Sequence, residues 1–135
     1  LLMRWFSQLG TILSLEPKAI TQWNERHREG SIKYHPTTGF IEVKRKGYYY
    51  IYSQMFYFDG SKMLVGHNTY INGGKVMESV GSVISPIRKY NTKYHGGVFL
   101  LQENDTISVH IPYTTHYFMD SEGSFFGAFL LHYID

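Results

Sequence analysis

The sequence predicts an all-β protein, an antiparallel jelly-roll β-sandwich, and three observations carry that prediction. Runs of β-branched and aromatic residues recur along the chain, each closed by turn residues after ten or so positions. Asn72-Gly73-Gly74 and Glu103-Asn104-Asp105 each separate two such runs, as hairpin turns do. A helical period has only one candidate, residues 18–28, and its apolar positions are few.

Taken in order, the opening LLMRWFSQLGTILSLEP is mixed, with Arg4, Ser7 and Gln8 breaking its apolar run. It reads as a first strand and loop rather than a signal peptide, so that any anchor or secretion signal would lie outside this stretch of chain. Residues 31–34 and 40–43 are brief strands around the turn HPTTG. Residues 48–58 form a long aromatic strand closed by Asp59-Gly60, and 62–71 and 75–84 form a hairpin about Asn72-Gly73-Gly74. Residues 85–93 read as a polar loop, 94–102 as a strand, and 106–111 as a cleanly alternating strand with Ile107, Val109 and Ile111 on one face. A loop over 112–122 leads to the last strand, 124–134.

With 135 residues the chain has the size of one domain spanning 1–135, large enough for a core without covalent staples. It has no cysteine, which excludes disulfides and thiolate metal sites. A formal charge of +2 and a pI near 8.7 are too weakly basic to argue for nucleic acid, and Lys44-Arg45-Lys46 reads as a solvated turn. No run approaches the ~20 apolar residues of a membrane span.

The stretch GYYYIYSQMFYF, residues 47–58, raises a physical problem. Tyr48, Tyr50, Tyr52, Phe56 and Phe58 share one parity; Tyr49, Ile51, Met55 and Tyr57 share the other. A sandwich strand normally buries one face and wets the other, and here both are apolar. The closing strand repeats the pattern, with Phe125, Gly127, Phe129 and Leu131 against Phe126, Ala128, Leu130 and His132. So does 94–102, with Tyr94, Val98 and Leu100 against Phe99 and Leu101. If these strands share a sheet, it must be covered twice. No helix-rich segment remains to do so, and a second copy of the chain is the simplest cover.

Three segments carry a resemblance. GYYYIYSQ resembles the central-strand motif of the tumour necrosis factor superfamily; YHGGVFLLQENDTISV resembles its later strand, turn and strand; SFFGAFLL resembles its C-terminal strand. KYHPTTGFIEVKRKG is similar to the ectodysplasin branch and the C-terminal half to the death-ligand branch. The motifs keep family order over residues 31–134, the core jelly roll, whereas residues 1–30 match poorly. The resemblance implies a homotrimer, with Tyr50, Tyr52, Gln54, Tyr94, Phe125 and Leu131 at the subunit interface. It implies an extracellular cytokine, secreted or shed from a type II membrane precursor, that clusters cysteine-rich receptor ectodomains to signal in cell death, immunity or development. No cofactor is expected. Receptor contact would fall on Tyr70 and Asn72, in the groove between neighbouring subunits. Parity also aims Tyr70 outward with Gly66 and Asn68, leaving Met63, Val65 and Ile71 for the core, although a lone surface tyrosine needs no special explanation. Many family members bridge two loops with a disulfide; without cysteine, the 85–93 loop is held by packing alone and is expected to be mobile.

Two other readings compete with this one. A complement-type globular head is also a trimeric jelly roll with a Gly-Tyr-aromatic strand, and FLLHYID resembles its ending; Ile-Tyr-Ser-Gln and SFFGAF favour the cytokine family. His27, His35, His67, His95, His110, His116 and His132 show no His-X-His pair of the kind a jelly-roll metal site uses, so no metal is expected. No G-x-S-x-G elbow or paired carboxylates argue for an enzyme. Asn104-Asp105-Thr106 is a sequon on a turn and makes Asn104 a candidate glycosylation site.

Overall fold

The computed structural model describes residues 4–6, 11–13, 18–21, 23–27, 30–59, 64–82, 89–112, 116–118 and 123–135. In chain order the described strands are β1 (Arg4–Phe6), β2 (Thr11–Leu13), β3 (Lys18–Ala19), β4 (Asn24–His27), β5 (Ile32–His35), β6 (Phe40–Val43) and β7 (Gly47–Asp59). They continue with β8 (Leu64–Ile71), β9 (Gly74–Ser82), β10 (Lys89–Leu101), β11 (Thr106–Ile111), β12 (His116–Phe118) and β13 (Phe125–Tyr133). All pairings are antiparallel, and they build the two sheets of a sandwich.

One sheet is organised on the long aromatic strand β7. Along one edge β7 pairs with β10 from Gly47 to Asp59. Along the other it pairs first with β13, up to Gln54, and then with β12, from Phe56 to Phe58. Beyond β13 lie β1 and β4, and beyond β12 lies β2. The three doubly apolar segments therefore do share a sheet. The second sheet runs β5-β6-β11-β8-β9, with β3 added to β11.

Alternation sorts the side chains. The odd positions of β7, from Tyr49 to Tyr57, are all buried between the sheets. Phe126 and Ala128 of β13 join them, facing Ile41, Val43, Val65, Ile107, Val109 and Ile111 of the second sheet. Each large aliphatic side chain so buried is worth about 1.5–3 kcal/mol. Trp23 closes one side, its ring centroid 4.7 Å from that of Phe126 and its Nε1 donating to the Ile20 carbonyl at 3.0 Å.

The turns follow from local chemistry. Asn72 and Gly73 have φ of 51° and 81°, the paired positive values of a two-residue type I′ turn, so Ile71 pairs directly with Gly74.

The structure corrects several boundaries. Among the described residues of the helix candidate 18–28 there is no helix; β3 and β4 lie there, because Ile20 and Trp23 are drawn individually into the core rather than onto one helical stripe. The 112–122 loop contains β12, which takes the edge of β7 that β13 leaves free. Strand β10 begins at Lys89, inside the supposed 85–93 loop, because its pairing with β7 continues to Asp59; residues 85–88 of that loop, the end of the expected 75–84 strand at 83–84, and Met63 lie outside the described residues.

Candidate functional site

The even positions of β7 face away from the core, and their surroundings form the first candidate surface. Tyr52 stands opposite Gly96 of β10 on one side and Gly127 of β13 on the other. Two glycines leave room for rings on either flank. Tyr50 lies between Val98 and Phe129, with its ring centroid 5.3 Å from Phe129 and 6.2 Å from Tyr52. Gln54 lies between Tyr94 and Phe125 and donates to the Gly123 carbonyl at 3.1 Å.

Gly96 is the seat of this arrangement. A Cβ there would overlap the Tyr50 hydroxyl and come within 2.7 Å of its Cζ and 3.1 Å of the Tyr94 hydroxyl. The Tyr50 ring therefore lies across Gly96 and reaches Tyr94, hydroxyl to hydroxyl, at 2.9 Å. Partial desolvation and the Tyr50 hydroxyl beside it push the Tyr94 phenol up to about 12, so Tyr94 is neutral at physiological pH.

The residues expected at the interface thus gather on one sheet face, but they are not alike. Tyr52 is only 5% exposed, covered by Tyr50, Phe125 and Phe129 of its own chain. It belongs to an aromatic layer outside the core rather than to the core itself. Tyr94 is 52% exposed and Leu131 51%. A register shift between Leu130 and His132 leaves Leu131 without a partner on β7. Of the seven large apolar side chains exposed among the described residues, five lie on this sheet: Tyr48, Tyr94, Val98, Leu100 and Leu131. Such concentration makes this face a candidate association surface.

The second candidate surface is the tip of the β8–β9 hairpin. Tyr70 has the outward parity expected of it, yet it is half-buried, its ring tilted against that of His110 of β11 with centroids 4.0 Å apart. Gly66 and Asn68, of the same parity, are buried rather than open, whereas Val65 and Ile71 face the core as expected. Asn72 is exposed, but its amide is engaged at both ends. Nδ2 donates to Asp105 Oδ1 at 2.8 Å, and Oδ1 accepts from the Thr106 N–H at 2.9 Å. The two turns, 72–73 and 103–105, are thereby clasped. Asn104 is exposed at the tip of the second turn with a φ of 71°.

Sequence reasoning missed one interior feature. His67 of β8 and His95 of β10 stack between the sheets, ring centroids 4.3 Å apart. His67 Nδ1 meets the Tyr57 hydroxyl at 2.6 Å; His95 meets Thr69 through Nε2 and Ser79 through Nδ1, both at 2.7 Å. Burial drives the His67 imidazole well below its usual range, with the neighbouring His95 adding to the effect, and burial lowers His95 to about 4. The available signal was parity: His67 alternates with Val65 and Ile71, and His95 with Phe99 and Leu101. Among the described residues no three His, Cys, Asp or Glu side chains come together as a metal site.

Comparison with known proteins is consistent across sequence and structure. The model of the TNF (Tumour Necrosis Factor) family matches residues 21–131. The mouse (Mus musculus) tumor necrosis factor ligand superfamily member 10 is 29% identical over 136 aligned positions, covering 83% of this chain. The chain spans about half of that relative, 47% of its length. The structure of Eiger TNF from S. frugiperda superposes with a TM-score of 0.86 over 100% of this chain and 94% of that one, at 18% identity. Murine APRIL superposes with a TM-score of 0.77 over 96% and 98%, at 20% identity.

Proposed function

This chain belongs to the Tumour Necrosis Factor family, a family of cytokine ligands rather than enzymes, and from that premise we propose that it is an extracellular ligand that acts as a homotrimer on a cysteine-rich receptor of the same superfamily. One observation carries the trimer: the outer face of the β7–β10–β13 sheet exposes Tyr94, Val98, Leu100 and Leu131 around a preformed aromatic layer. Solvating that face is costly, and a second and third copy of the same face would remove it from water. Tyr50, Tyr52, Gln54 and Phe125 supply the layer, and Tyr94 and Leu131 supply the projecting contacts. The family match favours this reading over a complement-type globular head.

The receptor would dock along the groove between neighbouring subunits, with Tyr70 as its aromatic contact and Asn72 at the tip beside it. Tyrosine suits the role because it offers a large rigid area and a hydroxyl. Release from a type II membrane precursor is the route the resemblance implies, and death, immune and developmental signalling are the outcomes it allows. Among the described residues no helix is long and apolar enough to cross a membrane.

A binding screen against the cysteine-rich receptor ectodomains of the same species, each as a monomer to remove avidity, tests the proposal. At least one should bind, and Tyr70→Ala should weaken it by at least ~1 kcal/mol in a protein that remains folded. Silence across the whole set, with a folded protein, contradicts the receptor reading.

A further inference from the structure

We propose that His110 is a positioning residue for the receptor-binding rim: it holds the Tyr70 ring in its binding orientation before any partner arrives. The inference rests on the reading of Tyr70 as a receptor contact.

The geometry supports it from both the backbone and the ring. In the β8–β11 ladder Tyr70 pairs with Ser108 and Asn68 with His110, so Tyr70 and His110 are diagonal neighbours on the outward face. Their rings lie 4.0 Å apart at an interplanar angle of 31°. His110 is itself fixed. Its Nε2 meets the hydroxyl of the buried Ser108 at 2.9 Å, and on its far side its backbone pairs with Ala19 of β3. Burial lowers its pKa, so the ring that Tyr70 leans on is neutral at physiological pH. The backbone under Tyr70 is pinned as well: the Asn72 N–H donates to the Thr106 carbonyl at 2.9 Å, alongside the Asn72–Asp105 clasp.

A tyrosine beside a hairpin tip would ordinarily sample several rotamers and lose that freedom on binding. Here the ring contact removes the freedom in advance. Removing the His110 ring should therefore weaken binding although His110 need not touch the receptor. The expected loss is roughly two- to ten-fold, the cost of immobilising one such side chain at an interface.

The test is a double-mutant cycle on the whole chain, with affinities measured against the monomeric receptor ectodomain that binds most tightly in the screen. Tyr70→Ala and His110→Ala should each weaken binding, and the double variant should be no weaker than Tyr70→Ala alone. His110→Phe, which keeps a ring and drops the Ser108 hydrogen bond, should bind close to wild type and guards against a folding defect in the alanine variant. Without receptor, the Tyr70 ring protons should be shifted upfield in tyrosine-labelled wild-type protein and return toward ordinary values in His110→Ala. Unchanged affinity in His110→Ala, additive losses in the double variant, or a His110→Phe variant as weak as His110→Ala overturns the inference while leaving Tyr70 as a contact. Unchanged affinity in Tyr70→Ala removes the rim reading and the inference together.

Discussion

Acidification should loosen this protein from the inside, through the stacked His67–His95 pair. The groups around the pair are Ser53, Tyr57, Thr69 and Ser79, and none supplies a negative charge to hold an imidazolium. An unfolded histidine titrates near 6.5, whereas His95 in the fold is lowered to about 4 and His67 moves in the same direction. Between those values the unfolded chain binds more protons than the folded one. Stability is therefore full above about pH 6.5 and falls as pH drops through that window. For His95 the full shift corresponds to about 3 kcal/mol, and its partial contact with solvent reduces this to about 2. His67 adds to the loss. Urea denaturation at one fixed protein concentration, stepped from about pH 7.5 to about pH 4.5, should show midpoint and free energy falling together. His95→Gln, which can still hydrogen-bond but does not titrate, should flatten that slope. Glu42, lowered by its hydrogen bonds to Lys44 and His35, loses its contribution only below its ordinary value of 4.5 and so falls outside most of this window. His110 is lowered by burial and acts with the same sign, so the variant decides the matter. Stability that is flat from neutral pH to about pH 5, or a slope unchanged in both His95→Gln and His67→Gln, would refute the reasoning.

Gly96→Val should expel the Tyr50 ring from its seat and break its hydrogen bond to Tyr94, a loss of about 1–3 kcal/mol seen as a lower melting temperature and weakened assembly; a variant with wild-type melting and mass would show that the seat is adaptable. Asn72→Ala strands the Thr106 N–H and unlocks the two turns, so stability should fall by about 1–2 kcal/mol in denaturant titration; because Asn72 also has a left-handed φ of 51°, Asn72→Gly should cost less than Asn72→Ala. Expression through a eukaryotic secretory pathway should place a glycan on the exposed turn residue Asn104, detected as excess intact mass that a glycosidase and Asn104→Gln both remove; a bare polypeptide mass would dismiss the site.

Much of this architecture is legible in the sequence because a strand's period is two. The parity of GYYYIYSQMFYF assigns Tyr49, Ile51 and Met55 to one face and Tyr50 and Tyr52 to the other; the first three are buried in the core between the sheets, and Tyr50 and Tyr52 stand in the aromatic layer on the opposite face. Asn72-Gly73 announced its hairpin because only such residues take two consecutive positive φ values comfortably. What the sequence hid is non-local. Strand β12 exists because β13 stops at Gln54 and leaves an edge of β7 open, which no local pattern records. Lys89 to Lys93 look like a loop by composition and become strand because β7 is long enough to pair with them. The His67–His95 stack joins residues from two different sheets, and the sequence shows only their parity. Conversely, the near-complete cover of Tyr52 within its own chain depends on glycines in two neighbouring strands, whose register became visible only in three dimensions.

The proposed joining of three copies of this chain through the outer aromatic face sets the mass of the particle in solution. It is tested most directly by sedimentation equilibrium at micromolar concentration, on wild type and on Tyr94→Asp. Tyr94 is the better probe because it projects from the protomer, whereas a charge at Tyr52 would also disrupt its own chain's aromatic layer. The account predicts a wild-type particle of about three times the 15.8 kDa chain mass. It predicts that Tyr94→Asp, burying unpaired charge in each interface, shifts the particle toward single chains that keep a β-rich circular dichroism spectrum. A wild-type protein that sediments as a stable monomer, or a Tyr94→Asp protein that remains fully trimeric, would contradict it.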